Sequence, residues 1–247
     1  MSNDFVFGLH AVQAIVERSP QDLLEVFVSK ERDDKRMHPL VQQLRKQGIA
    51  VQFCHRKTLD NLVQGQHQGI VAKIRLAQAG TDADLMAIVQ QQSAPLLLVL
   101  DGVTDPHNLG AILRSADAAG VHAVVVPKDR SVKLTSVVRK VACGAAETVP
   151  FIAVTNLARA LRQLQEAGVW VIGTAGETEQ TLFQTELTGP LAIVLGAEGD
   201  GLRRLTRETC DALVKIPMQG SVSSLNVSVA AGICLFEAVR QRQGASK

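Results

Sequence analysis

Tyrosine is missing from this 247-residue chain, and seven Phe and one Trp bring the aromatics to only 3%. A protein that reads single-stranded RNA by stacking bases on an aromatic sheet needs more rings than that. This argues against an RRM-like reader but leaves recognition through phosphates and shape open. Cysteine is sparse as well: Cys54, Cys143, Cys210 and Cys234 stand far apart, with no C-x-x-C pair and no His at metal-ligand spacing. That argues against a disulfide scaffold or a zinc site and for the reduced thiols of a cytoplasmic protein. No run approaches the ~20 apolar residues that a bilayer requires. The start, Met1-Ser2-Asn3-Asp4, lacks the basic and apolar regions of a signal peptide, so neither membrane nor export is expected. A strong charge of one sign is absent too. The formal balance is +2, with 11 Lys/Arg against 8 Asp/Glu in residues 1–76 and 15 against 16 in residues 77–247. A polyanion would therefore be met by local patches and not by a net field.

What is present is apolar mass, 46% of the chain, enough to bury one large core or two smaller ones. The first 76 residues alternate helix and strand: helices at Gly8–Arg18, Leu40–Lys46 and Thr58–Val63, strands at Leu24–Val28, Ile49–Phe53 and Gln68–Ile74. A small polar stretch from Ala77 to Asp84, with Gln90-Gln91-Gln92-Ser93-Ala94-Pro95 after it, reads as a linker. Leu85–Val89 reads as a short helix attached to the second domain. From Pro95 on, the unbroken apolar runs Leu96–Leu100, Ala123–Val126, Phe151–Val154, Val169–Ile172, Leu191–Leu195 and Leu213–Ile216 have the pattern of parallel strands buried on both faces. Leu109, Ile112, Leu113 and Ala116 keep helical spacing between them, as do Leu157, Leu161 and Leu164. The expectation is an α/β fold with a doubly wound parallel sheet behind a small N-terminal α/β domain.

Three stretches carry chemistry. The tail from Ile216 to Gly232 runs from a strand through a Gly/Ser loop into a small-residue helix. It offers amides, hydroxyls and a carboxamide with no bulky side chain in the way, and so reads as a ligand site. Gly196-Ala197-Glu198-Gly199-Asp200-Gly201 follows a buried strand, but its order is G-x-x-G-x-G and not the G-x-G-x-x-G of a dinucleotide site, which disfavours a nicotinamide-dependent oxidoreductase. In Asp105-Pro106-His107-Asn108-Leu109-Gly110-Ala111-Ile112-Leu113-Arg114, Asn108 has an ordinary reading as a cap for a helix starting at Leu109, and Arg114 as a solvated arginine. Glu198 has one as a surface carboxylate, Ser224 and Asn226 as helix-start residues. Two basic runs, Lys128, Arg130, Lys133, Arg139 and Lys140 in one and Arg203, Arg204 and Arg207 in the other, read either as solvated faces or as phosphate contacts.

Taken together, the three stretches resemble the motifs of the SpoU-type RNA ribose 2'-O-methyltransferases, members of the knotted SPOUT class. The resemblance spans about 150 residues. It implies a deep trefoil knot in residues 95–247, made by the last strand–loop–helix segment and holding S-adenosyl-L-methionine. It also implies a homodimer and a reaction without a metal, since the sulfonium already activates the methyl. Carried residue by residue, it places Asn108, Arg114, Glu198, Ser224 and Asn226 in the catalytic site and Gly196, Ile216, Met218, Gly220 and Leu225 around the cofactor. A guanidinium is a poor base at neutral pH, so Arg114 is read as binding the substrate phosphate and stabilising developing alkoxide charge. Phe7-Gly8-Leu9-His10-Ala11-Val12 and Gln68-Gly69-Ile70-Val71-Ala72 resemble the ribosomal-protein-L30-like domain of the larger members. This gives residues 1–76 as an RNA substrate-binding domain and 77–94 as linker and leading helix. The members most like this chain act on a guanosine of the peptidyl-transferase P loop in 23S rRNA. Relatives that modify other rRNA or tRNA nucleotides share the motifs and remain an alternative. So does a silent RNA-binding ribosome-assembly protein, against which the retention of Asn108, Arg114, Glu198 and Asn226 argues.

Overall fold

A computed structural model describes residues 4–31, 37–63, 65–75 and 79–245. Contacts divide the chain into two units, residues 1–78 with 134–148 and residues 79–133 with 149–247. The first begins with β1 (Asp4–Phe7), α1 (Leu9–Arg18), β2 (Leu23–Ser29), α2 (Met37–Lys46), β3 (Val51–Cys54), α3 (Arg56–Leu62) and β4 (Ile70–Ile74). Its sheet has the order β1-β4-β2-β3, with β2 and β3 parallel and the other pairs antiparallel. In α2, Met37, Leu40, Val41 and Leu44 recur at helical spacing and are buried, as are Val12, Ile15 and Val16 of α1. Both stripes close on Val26 and Val28 of β2 and on Ile70, Ala72 and Ile74 of β4 to form one apolar core.

The second unit holds α4 (Asp82–Gln90), β5 (Leu96–Asp101), α5 (Pro106–Ala118) and β6 (Ala123–Pro127). The chain then passes through α6 (Ser136–Ala142), which belongs to the first unit. It returns for β7 (Phe151–Val154), α7 (Leu157–Glu166), β8 (Trp170–Thr174), β9 (Leu191–Gly196), α8 (Arg204–Thr209), β10 (Ala212–Val214) and α9 (Val227–Ala245). The six strands form one parallel sheet in the order β10-β8-β9-β5-β6-β7. All six residues of β5 are buried, which explains the unbroken apolar run Leu96–Leu100. Leu97, Val99, Val125 and Val194 face Leu85 and Val89 of α4 and Leu157, Leu161 and Leu164 of α7. On the other side, α5 packs against α9 and α9 against β9. Helices thus cover both faces, as the doubly wound pattern anticipates. From β5 the chain runs outward through β6 and β7 to one edge, while β8, β9 and β10 fill the other side. The carboxyl ends of β5 and β9 therefore flank the switch point where such sheets bind ligands.

Two particulars differ from the sequence reading. The sequence pattern puts residues 134–148 within the second domain, but α6 packs on β1, and Lys140 Nζ lies 4.6 Å from the centroid of the Phe7 ring. The short helix expected at Leu85–Val89 starts earlier, at Asp82, and runs to Gln90 as α4, held by a capping box: Thr81 N donates to Asp84 Oδ2 at 2.7 Å, and Thr81 Oγ1 accepts from Asp84 N.

Candidate active site

The helix α5 starts three residues earlier than a cap at Asn108 requires. Asp105 is the cap, accepting from the amides of His107 (3.1 Å) and Asn108 (3.2 Å), and Pro106 takes the first helical position. This corrects the capping reading of Asn108 and frees its side chain for another task. At the other end of the chain, Asn226 caps α9: its Oδ1 accepts from Ser228 N at 2.9 Å and from Ser228 Oγ at 2.5 Å. Its Nδ2 donates to Asn108 Oδ1 at 3.0 Å and to Glu198 Oε1 at 2.7 Å. The amide of Asn226 is thus the hub of three chain segments, and Glu198 accepts further from Val227 N at 3.4 Å. A carboxylate against the first amides of a 19-residue helix is favoured by the helix dipole as well.

Glu198 is presented by a tight loop at the end of β9. Ala197 N donates to Gly201 O (3.1 Å) and Gly201 N to Ala197 O (3.0 Å), with Gly199 and Gly201 at φ +82° and +67°. A Cβ on Gly196 would overlap the carbonyl of Gly201 and the amide of Leu202, far inside the 3.0 Å that real Cβ contacts respect. The glycine at this strand end is therefore demanded by the loop's own return limb. The sequence reading explains it by the approach of an adenosyl group, and the structure supplies a nearer cause.

Sequence reasoning misses Asp101, at the end of β5. It is fully buried; its Oδ2 accepts from Arg203 N at 2.9 Å, and its Oδ1 lies 3.3 Å from Arg203 Nε. The pair ties the end of β5 to the segment just beyond the Glu198 loop. An acid closing an apolar run looks like a solvated strand end, and only the partner 102 residues away reveals it. The same geometry reduces the second basic run: Arg203 is paired with Asp101, Arg207 with Glu177 and Arg204 with Glu208. In the first run Arg139 is buried, 3% exposed, and paired with Glu147. It is unavailable to RNA phosphates, whereas Lys128, Arg130 and Lys133 are at least partly open to solvent.

Arg114 is exposed on α5, six residues and about 9 Å of helix axis beyond Asn108. Ser224 is exposed and makes no hydrogen bond among the described residues, so the structure does not bring it into the network. Ile216, Met218 and Leu225 are half-buried and Gly220 is exposed. The strand expected at Leu213–Ile216 ends at Val214, and Lys215 makes a single bridge to Thr181. Beyond it, among the described residues, no hydrogen bond reaches the backbone of residues 216–225. This run of unpaired main chain at the carboxyl end of the sheet is suited to a ligand with its own donors and acceptors, such as an adenine edge. No cluster of three or more His, Cys, Asp or Glu that could hold a metal ion occurs among the described residues, and no described helix is long and apolar enough to cross a membrane.

Comparison with known proteins bears on the family to which the chain is similar. Residues 95–236 match the SpoU rRNA Methylase family, and residues 5–79 match the pattern described as RNA 2'-O ribose methyltransferase substrate binding. The chain is 61% identical over 246 residues to the 23S rRNA (guanosine-2'-O-)-methyltransferase RlmB of Vibrio parahaemolyticus, covering 99% of this chain and 100% of that one. To the RlmB of Pasteurella multocida it is 62% identical over 239 residues, covering 96% and 98%. Among solved structures, the SpoU methyltransferase AviRb of Streptomyces viridochromogenes in complex with AdoMet superposes with a TM-score of 0.83 at 25% identity, covering 98% of this chain and 91% of that one.

Proposed function

Because the chain belongs to the SpoU rRNA methylase family, we propose that it transfers a methyl group from S-adenosylmethionine to the ribose 2'-hydroxyl of a guanosine in the peptidyl-transferase P loop of 23S rRNA, in the cytoplasm. The observation that carries the reading is the hydrogen-bonded meeting of Asn108, Glu198 and Asn226 at the end of an unpaired backbone segment. The near-full-length identity to 23S rRNA guanosine methyltransferases supports the substrate.

The backbone of residues 216–225, with Ile216, Met218, Gly220 and Leu225 among its members and Gly196 at the neighbouring strand end, would hold the donor. When bound, the donor supplies an electrophilic methyl on a sulfonium. The chain's own residues then have to place a poor nucleophile in line and manage its proton. Asn226 fixes Asn108 and Glu198 in one constellation, and these orient the ribose. Arg114 binds the adjoining phosphate and stabilises the developing alkoxide while the 2'-hydroxyl proton passes to solvent and the methyl leaves the donor's sulfur for the oxygen. Ser224, in the exposed loop, reaches the site only once substrate and donor are in place.

The remaining parts of the reading are proposals of the same kind. The segment from β10 to α9 threads a trefoil knot, the N-terminal unit is an L30-like RNA-binding element, and the enzyme is a homodimer. Val229 and Phe236, one heptad apart on α9 and about half exposed, support the dimer. The test is incubation of the purified protein with methyl-labelled donor and unmodified 23S rRNA, followed by mapping of bonds resistant to alkaline hydrolysis. One resistant bond at a P-loop guanosine is expected. A methylated base, or a resistant bond elsewhere, refutes the assignment.

A further inference from the structure

The N-terminal unit contains a cavity of about 300 Å3 lined by Ser29, Glu31, Arg56, Gln68 and Gly69. We infer that it receives one unpaired guanine base of the RNA substrate, held by its edges. This rests on the reading of the chain as an RNA methyltransferase and goes beyond it by assigning a specific base contact to this unit.

The walls are built from strand ends and a hydrogen-bonded turn. Ser29 and Cys54 pair at the carboxyl ends of the parallel strands β2 and β3, and the turn before β4 closes the third side. There His67 is 2% exposed; its Nδ1 accepts from Gly69 N at 3.0 Å, which leaves Nε2–H to donate to Asp60 Oδ1 at 2.9 Å. Ser29 N donates to Gly69 O at 2.9 Å, and Leu9 N donates to Gln68 Oε1 at 3.1 Å. Gln68 is held at φ +51°, a left-handed conformation that a residue with a side chain adopts only where its surroundings force it.

The lining is charged in an informative way. Glu31 and Arg56 face the same cavity yet form no ion pair with each other; Glu31 lies 3.6 Å from His55 Nδ1, and Arg56 has no ion-pair partner among the described residues. Opposite charges that share a cavity without pairing suit a ligand that is a donor on one edge and an acceptor on the other. Guanine has this arrangement. Its N1–H and N2 amino group match the two oxygens of a carboxylate, and its O6 and N7 match the fork of a guanidinium. Adenine turns an acceptor nitrogen toward the carboxylate. The volume stands at the lower end of small-ligand sites, room for a single base and not for a duplex. Among the described residues no aromatic ring lines the cavity, so the base is read by its edges and not by stacking.

The test uses the full-length protein and three fluorescein-labelled RNA pentamers, UUGUU, UUAUU and UUIUU, read by fluorescence anisotropy. The guanosine pentamer should bind about tenfold more tightly than the adenosine one, with inosine, which lacks the 2-amino group, in between. Glu31→Gln should bring the three affinities within about twofold at an unchanged melting temperature, and on 23S rRNA it should raise KM while kcat holds. Arg56→Ala should weaken the guanosine pentamer about tenfold. A pentamer carrying photoreactive 6-thioguanosine should crosslink to the peptides bearing Arg56 or Gln68. Equal affinities in the unmodified protein, no binding of any pentamer, or a guanosine preference that survives Glu31→Gln overturns the inference; so do crosslinks confined to residues 195–226. If any of these occurs while methyl transfer to 23S rRNA proceeds, the pocket assignment alone falls. If no RNA is methylated, the enzymatic reading falls.

Discussion

Replacing Gly196 by alanine separates two explanations of one glycine. If the residue is small because a cofactor must approach the main chain there, the variant folds normally and only donor affinity drops. The structure gives the other answer, since the added Cβ would strike the backbone of Gly201 and Leu202, which no rotamer change can relieve. The loop must open, and the two hydrogen bonds between Ala197 and Gly201 are lost. At about 0.5–1.5 kcal/mol each the loss is about 1–3 kcal/mol, and at ~2–4 °C per kcal/mol for a unit of this size the melting temperature falls by roughly 2–12 °C without any ligand present. Glu198 moves with the loop and its bond to Asn226 goes with it, so methyl transfer should fall by about 10- to 100-fold. Gly201→Ala is the control. Its Cβ meets open space but its φ is +67°, so it should cost ~1–2 kcal/mol of backbone strain without pushing on β9. Differential scanning calorimetry and a single-turnover transfer assay on both variants decide the matter. A Gly196→Ala protein that melts like the parent and transfers methyl at full rate refutes the argument.

Arg114→Ala should reduce transfer ~10²-fold or more while donor affinity by titration calorimetry stays within about twofold, and Arg114→Lys should restore little because it lacks the planar fork; near-normal turnover in either contradicts the assigned role. Glu147→Gln should destabilise the protein by about 3–5 kcal/mol, because it leaves the guanidinium of buried Arg139 without its counter-charge. The double variant Arg139→Met with Glu147→Leu should recover much of that loss, and a silent single variant in urea unfolding would show the pair to be idle. Burial pushes the thiols of Cys210 and Cys234 up to about 12, Cys210 with help from Asp211 and Asp101. The folded state therefore holds these protons more tightly than the unfolded one, so their share of stability is complete below about pH 9 and is lost as the pH rises toward 12. Urea midpoints should drop across that window and drop less in Cys234→Ala, whereas identical slopes would exclude the thiols as the cause.

The strands of the second unit are legible in the sequence because burial on both faces leaves a single signature, and observed and expected boundaries differ by only one or two residues. β1 is not, since four residues that pair only at one edge carry no period. α6 is masked by its own charges. Arg139 and Lys140 look like a solvated basic run, yet one is buried against Glu147 and the other lies over Phe7. That Asn108, Glu198 and Asn226 belong to one site can be expected by likeness of motif, but their hydrogen bonds cannot, because those depend on partners 28 and 118 residues apart. Asp101 and the left-handed Gln68 leave no trace in the sequence, as both are consequences of neighbours that only folding supplies.

The helix α9 is anchored at both ends. Asn226 sits at its head, and near its tail Arg242 donates to the carbonyls of Ala94 (3.0 Å), Pro95 (3.2 Å), Leu187 (3.3 Å) and Gly189 (2.7 Å), where β5 and β9 begin. A growing polypeptide can complete β5 through β9 long before this helix exists, but without residue 226 Asn108 and Glu198 have no common partner, and without residue 242 the helix is not fastened. The network of Asn108, Glu198 and Asn226 therefore forms only in the last stage of chain synthesis, after every strand of the sheet has been made.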